Sequence, residues 1–332
     1  MPDRDARRPA SILTTEQPWA IDLSLPITDS ITPSLTDDIT PPPDVPYVRR
    51  KSSLASIIAE LWDVRDLVVQ FMLRDINIRY TQAIMGFAWA LLMPLLIVGA
   101  GLVFRVVLST LANSPIEGTS VASLTAKAVP WAFFSGAVTL ATQSLLAQAN
   151  LIGKVYFPRE SIPVASVMAQ CTDLAVSLVM VAIVVPVFGV PMHLTIFWAP
   201  VMLVLLILFT MGWALILSCA NLFFRDVKYI IQVALNFGVF ATPVFFEPQM
   251  LGKRGAEIMM ALPLSPFIQA MDIAIVRGHN LLAPLALKNP KGASITVWEP
   301  WMLGYATAVA LAVFLVGLIV FRRASGKFAE MA

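Results

Sequence analysis

Six windows of about 20 mostly apolar residues, each the length a helix needs to cross ~30 Å of hydrocarbon, constrain this chain more than anything else in it. They fall at 86–107, 129–149, 162–188, 196–222, 229–246 and 301–321. The predicted fold is therefore all-α, a polytopic membrane protein with six transmembrane helices. Composition agrees: 58% of residues are apolar, 13% are charged and the mean hydropathy is +0.78, against roughly 25% charged in soluble domains. A formal net charge of +2 is too small to suggest a nucleic-acid partner. The fourth window is long enough to tilt or project from the bilayer, and the fifth is short and closes on Pro248.

The two cysteines, Cys171 and Cys219, lie inside apolar runs and read as packing residues, not as a disulfide or half a metal site. His193 and His279 stand apart with no ligand spacing around them, so no metal is expected. Residues 1–50, rich in Pro, Asp, Ser and Thr and including "TPPPDVP", read as a disordered tail that stays in the cytoplasm. Residues 51–332 form the membrane domain. At its start Leu54, Ile57, Ile58, Leu61, Val68 and Met72 recur at helical spacing, opposite Ser56, Glu60, Asp63, Asp66, Gln70 and Arg74. This predicts an amphipathic helix over 54–74, too charged to span and suited to the membrane interface.

Short cytoplasmic loops carry an excess of lysine and arginine. With the N-terminus inside, Arg74, Arg79, Lys154, Arg159, Arg225, Lys228, Arg322, Arg323 and Lys327 fall on the cytoplasmic side, and the short outer connections hold only Lys127. Both termini are expected inside. The stretch "LIGKVYFPRESIP" (151–163) then becomes a tight cytoplasmic turn in which Pro158 ends any short helix and Lys154, Arg159 and Glu160 offer ion-pairing capacity. On its residues alone it is a charged turn that obeys the orientation rule.

Four stretches carry a resemblance: "LRDINIRYTQAIMGFAWALLMPL" (73–95), "KVYFPRESIPVAS" (154–166), "FFRDVKYIIQVALNFGVFATPVFF" (223–246) and "LPLSPFIQAMDIAIVRG" (262–278). In this order, on six spans, the chain resembles the membrane subunits of ABC-2 type exporters, which move polysaccharides such as O-antigen, capsule or teichoic acid. It departs from that pattern in its long tail and in Asn77, which stands where a charge is more usual. The resemblance implies a homodimer that forms a channel for a lipid-linked polysaccharide, with two copies of a separate ATPase subunit binding ATP and Mg. This chain would then have no catalytic, cofactor or metal site. It contains no G-x-x-x-x-G-K-[ST], and its nearest fragment, Gly326-Lys327, is followed by Phe328.

The resemblance further implies that Lys154, Phe157, Pro158, Arg159 and Glu160 form a loop coupled to the ATPase. The helix carrying Leu61, Asp66, Arg74 and Asp75 would lie on the inner interface beside it. A pathway for a hydroxyl-rich polymer favours aromatic faces over fixed charge, which makes Phe87, Trp89, Trp131, Phe133, Phe134, Phe237 and Phe240 channel candidates as a group; taken singly, each reads first as facing lipid or belonging to an interfacial belt. Among intramembrane polar groups, Arg105 is near enough to an end to snorkel outward. Asp173 is mid-span and needs either another helix or substrate. The outer segment 247–300 holds two short apolar patches separated by Pro263 and Pro266, which fit re-entrant or interfacial helices or a folded loop; the resemblance implies that they gate the outer end. The alternatives are an ABC-2 exporter of a lipid or small molecule, a secondary transporter or a membrane-embedded glycosyltransferase. A transferase would show a clustered acid, base or metal constellation, and a secondary transporter several intramembrane carboxylates; neither pattern occurs in the sequence.

Overall fold

In a computed structural model the described residues are 62–81, 88–112, 118–149, 157–288 and 293–325. The tail expected at 1–50, Leu61, Phe87 and Lys154, with the side chain of Trp89, lie outside them. The helices are α1 (Arg65–Tyr80), α2 (Ala88–Ala112), α3 (Gly118–Ala147), α4 (Ser161–Val187), α5 (Trp198–Phe223), α6 (Val227–Ala241), α7 (Gly252–Ala261), α8 (Ser265–Ile275) and α9 (Trp301–Ser325). Strands β1 (Leu285–Lys288) and β2 (Ser294–Trp298) pair antiparallel as a hairpin between α8 and α9. The hairpin is the one β element among the described residues, and the apolar-window reading did not anticipate it.

Five helices, α2, α3, α4, α5 and α9, are each long and apolar enough to cross a membrane. One end of the bundle is fixed by a cluster in which Leu145, Ile162, Cys219, Leu222, Leu318 and Phe321 pack together. It gathers the end of α3, the start of α4 and the ends of α5 and α9, and with Arg159, Arg225 and Arg322 nearby it is called the basic end here. At the opposite, hairpin end, Thr195 donates to the carbonyl of Ala274 (2.8 Å) and Tyr305 donates to that of Ala261 (2.7 Å).

The chain leaves α5 at the basic end and enters α9 at the hairpin end, so it crosses once more between them. That fifth crossing is α6, 15 residues or about 22 Å long, and the turn that follows. The expected helix over 229–246 is cut short at Ala241 because Pro243 follows Thr242. A proline disfavours helical geometry in the residue before it, and Thr242 is extended (φ −100°, ψ 161°).

Residues 248–261 and 265–275 form a helical pair bent by 113°. Its two ends are joined by the ion pair of Arg277 with Glu247 (3.4 Å), so the pair enters and returns on the same side. Its deepest part meets the middle of α5, where Phe267 lies 5.4 Å from Phe209 between ring centroids. Every residue of α8 is buried. The patches foreseen in the outer segment are thus a re-entrant pair, with Pro263 in its turn and Pro266 in the first turn of α8.

The tightest helix contact is that of α5 with α9. A Cβ built on Gly212 would stand 2.6 Å from backbone atoms of Val313 and Phe314, and one on Gly317 would stand 2.6 Å from the Gly212 carbonyl oxygen. Only glycine at both positions lets the backbones approach this closely, the small-residue packing that membrane helices use where burial of apolar surface supplies no drive.

Candidate functional site

A cavity of about 770 Å³ lies among the end of α1 and helices α2, α3, α4 and α6. Its wall includes Trp131, Phe133 and Phe240 and the polar side chains Ser135, Thr139, Gln232 and Asn236. Gly238 on α6 lets the Trp131 ring approach, since a Cβ there would stand 3.0 Å from it. Phe240 is itself 51% exposed and Phe237, one turn before it, 70% exposed, so this face of α6 is open in the single chain. Of the aromatic candidates, Trp131, Phe133 and Phe240 line the cavity, while Phe134 stacks on Phe209 (5.7 Å) in the core.

One wall of the cavity is an ion pair. Arg79 lies 2.7 Å from Asp173, which also accepts from Gln170 (2.8 Å) and from the Tyr80 hydroxyl. Burial, then the hydrogen bond to Asp173, pushes the Tyr80 hydroxyl up to about 12, so it stays a donor. The pair results from how α1 sits: Asp75 and Arg79, one turn apart, meet Ser166, Gln170 and Asp173 along α4. This corrects the expected end of the helix, which runs on to Tyr80 instead of stopping near Arg74. Asp75 is half-buried and accepts from Ser166 of α4, and Arg74 Nη2 lies 3.2 Å from Asp75. Asp66 is exposed. Asp173 takes the interhelical option that its mid-span position left open.

At the basic end the turn before α4 is fastened to the rest of the chain. Phe157 packs on Phe71 of α1 (5.8 Å between centroids) and Pro158 is half-buried behind it. Arg159 donates to the carbonyl of Ser325 (2.8 Å), and Glu160, nearly buried, lies 3.4 Å from Arg322. Both partners belong to the last turn of α9, where a cation opposes the negative end of the helix dipole, as Glu160 at the N-terminus of α4 opposes the positive one.

Near the hairpin end five charges form a buried network that was not legible as a group in the sequence. Arg105 pairs with Glu247 (2.7 Å), Arg277 with Glu247 and with Asp272 (2.7 Å), and Lys127 lies 3.6 Å from Asp272. Lys127 and Asp272 have no exposed side-chain area. Two expectations fall here. Arg105 is 8% exposed and held by Glu247, so it does not snorkel. Lys127 is not in an outer loop, because the second span begins at Gly118, eleven residues before the window at 129. Burial by itself raises the Glu247 carboxyl, but Lys127, Arg105 and Arg277 outweigh it and hold the group below its ordinary value. The signal that could have exposed the network is the presence of Lys127 and Asp272 inside apolar stretches, since an intramembrane charge requires a partner.

Comparison with known proteins gives a consistent set of likenesses. The family model described as "ABC-2 type transporter" matches residues 67–276. Two proteins of Klebsiella pneumoniae, each called O-antigen export system permease protein RfbA, are 26% and 24% identical over 267 residues, covering 80% of this chain and 95% of theirs. A protein of the same name from Myxococcus xanthus is 27% identical over 231 residues, 68% of this chain and 85% of its own.

Proposed function

Because the chain belongs to the ABC-2 type transporter family, we propose that it is the membrane-spanning permease of an ATP-driven exporter that carries a lipid-linked polysaccharide across the cytoplasmic membrane. The similar proteins are O-antigen export permeases by name, which supports polysaccharide over lipids or small molecules as cargo. In this reading two copies face one another across the open faces of α2 and α6, two copies of a separate ATPase subunit supply ATP hydrolysis, and both termini and the 157–161 turn are cytoplasmic.

The observation that carries the proposal is the cavity, whose aromatic rings, hydroxyls and amides are the groups that stack on sugar faces and exchange hydrogen bonds with sugar hydroxyls. The 157–161 turn fits a coupling role in an amended form. Glu160 and Arg159 hold the turn to α9 and Phe157 holds it to α1, so in this reading the ATPase meets a turn that is fastened to both helices. A push there would act on α4 and α9 together.

The test is to delete the gene in its own strain and compare surface glycans with intracellular lipid-linked glycan. One surface polysaccharide should disappear while its lipid-linked form accumulates inside. An unchanged glycan profile refutes the proposal.

A further inference from the structure

We infer that the polymer carried by this chain has an electrically neutral repeat, an inference that rests on the polysaccharide reading and narrows it. The cavity wall holds two charged side chains among the described residues, Arg79 and Asp173, and they cancel at 2.7 Å. The carboxylate is already occupied by Arg79, Gln170 and Tyr80.

The sequence extends the argument along both exposed helices. Between Arg79 and Arg105 there is no Asp, Glu, Lys or Arg, and between Lys228 and Glu247 there is none. Arg105 and Glu247 are spent on each other, and Lys228 stands at the basic end over the Tyr229 ring, 4.7 Å from its centroid. Past Lys228, a repeating anion moving along these walls would meet no cation that is not already paired with a carboxylate, whereas anion pathways are lined by arginine or lysine. Gln232 and Asn236 each present a donor and an acceptor, the pattern that hydroxyls match without charge.

The first experiment is the composition of the lipid-linked glycan that accumulates on deletion. A repeat without uronic acid, sialic acid or phosphate is expected. An acidic repeat overturns this inference and leaves the export proposal standing, whereas loss of no glycan overturns both. The second places charge of either sign on the wall, as Asn236→Lys and Asn236→Asp, with membrane levels of the variants matched. For a neutral polymer the two should export within about twofold of each other. For a polyanion, Coulomb attraction in a low-dielectric passage should separate them by about tenfold or more in favour of lysine, and that sign dependence would refute the inference.

Discussion

The buried network near the hairpin end contains three cations, Arg105, Lys127 and Arg277, and two carboxylates, Glu247 and Asp272. Its response to mutation should therefore be lopsided. Asp272→Asn leaves three cations on one carboxylate, with Lys127 wholly buried and its nearest counter-charge gone. Removing one partner of a buried pair costs about 3–5 kcal/mol, chiefly because the other charge remains. Lys127→Met instead leaves two cations on two carboxylates, with the 2.7 Å contacts of Arg105 to Glu247 and Arg277 to Asp272 intact. Lys127 Nζ makes no hydrogen bond, so its loss forfeits only Coulomb attraction and recovers its desolvation cost. The expected change is within about 1 kcal/mol. The protein supplies its own probe, since Cys219 is buried and Cys171 half-buried and a thiol-reactive dye would report their exposure as the purified chain is heated. Asp272→Asn should melt well below the parent and Lys127→Met close to it, with the double variant between. A Lys127→Met chain as unstable as Asp272→Asn would show that charge balance does not govern the network.

Exchanging the charges of Glu160 and Arg322 should restore what either single reversal loses, with a coupling of about 1 kcal/mol in a thermal double-mutant cycle; additive losses would remove the proposed fastening of the turn to α9. Gly212→Val should cost about 1–3 kcal/mol by forcing α5 from α9, read in the same melt, and an unchanged melting temperature would mean that the close approach is not required. Single cysteines at Arg225 and Ser294, both exposed, in a background lacking Cys171 and Cys219, should label with an impermeant maleimide from opposite faces of the membrane. Labelling from one face would refute the fifth crossing.

The sequence was most legible where hydropathy is uninterrupted. The third, fourth and sixth windows end within a few residues of α4, α5 and α9. It misled where a charge sits inside a span with a distant partner. Lys127 broke the second window because a hydropathy scale assigns a lysine its full transfer cost, while in the fold Asp272, far along the chain, offsets part of it. Arg105 was assigned to the interface for the same reason, its partner Glu247 lying 142 positions away. The fifth window overran because Pro243 and the turn after it are as apolar as the helix before them, and composition alone does not show where a helix stops. Among the candidate aromatics, sequence could not separate Phe133, at the cavity, from its neighbour Phe134, turned to Phe209, because the two differ only in helical phase against partners not yet placed.

The fastenings also say which parts can move together. α9 is joined to α5 by the glycine contact, α5 to α8 by Phe209 on Phe267, α8 to α3 by Asp272 and Lys127, and α4 to α9 by Glu160 and Arg322. If an ATPase acts at the 157–161 turn as proposed, its displacement should travel through α3, α4, α5, α8 and α9 as one block, since interiors packed this closely shift between discrete arrangements more readily than they deform. α6 is held differently. Asn221 accepts from the Lys228 backbone at its start (3.2 Å) and Glu247 is anchored beyond its end, while its middle borders the cavity. Movement between nucleotide states should accordingly concentrate in α6 against α3. Spin labels at Gln143 and Val233, both exposed, should change separation by about one helical turn, ~5 Å, between nucleotide-free and ATP-bound complex, while a pair across α5 and α9 should stay within about 2 Å. A block that comes apart at α5 and α9 while α6 stays fixed would refute this division.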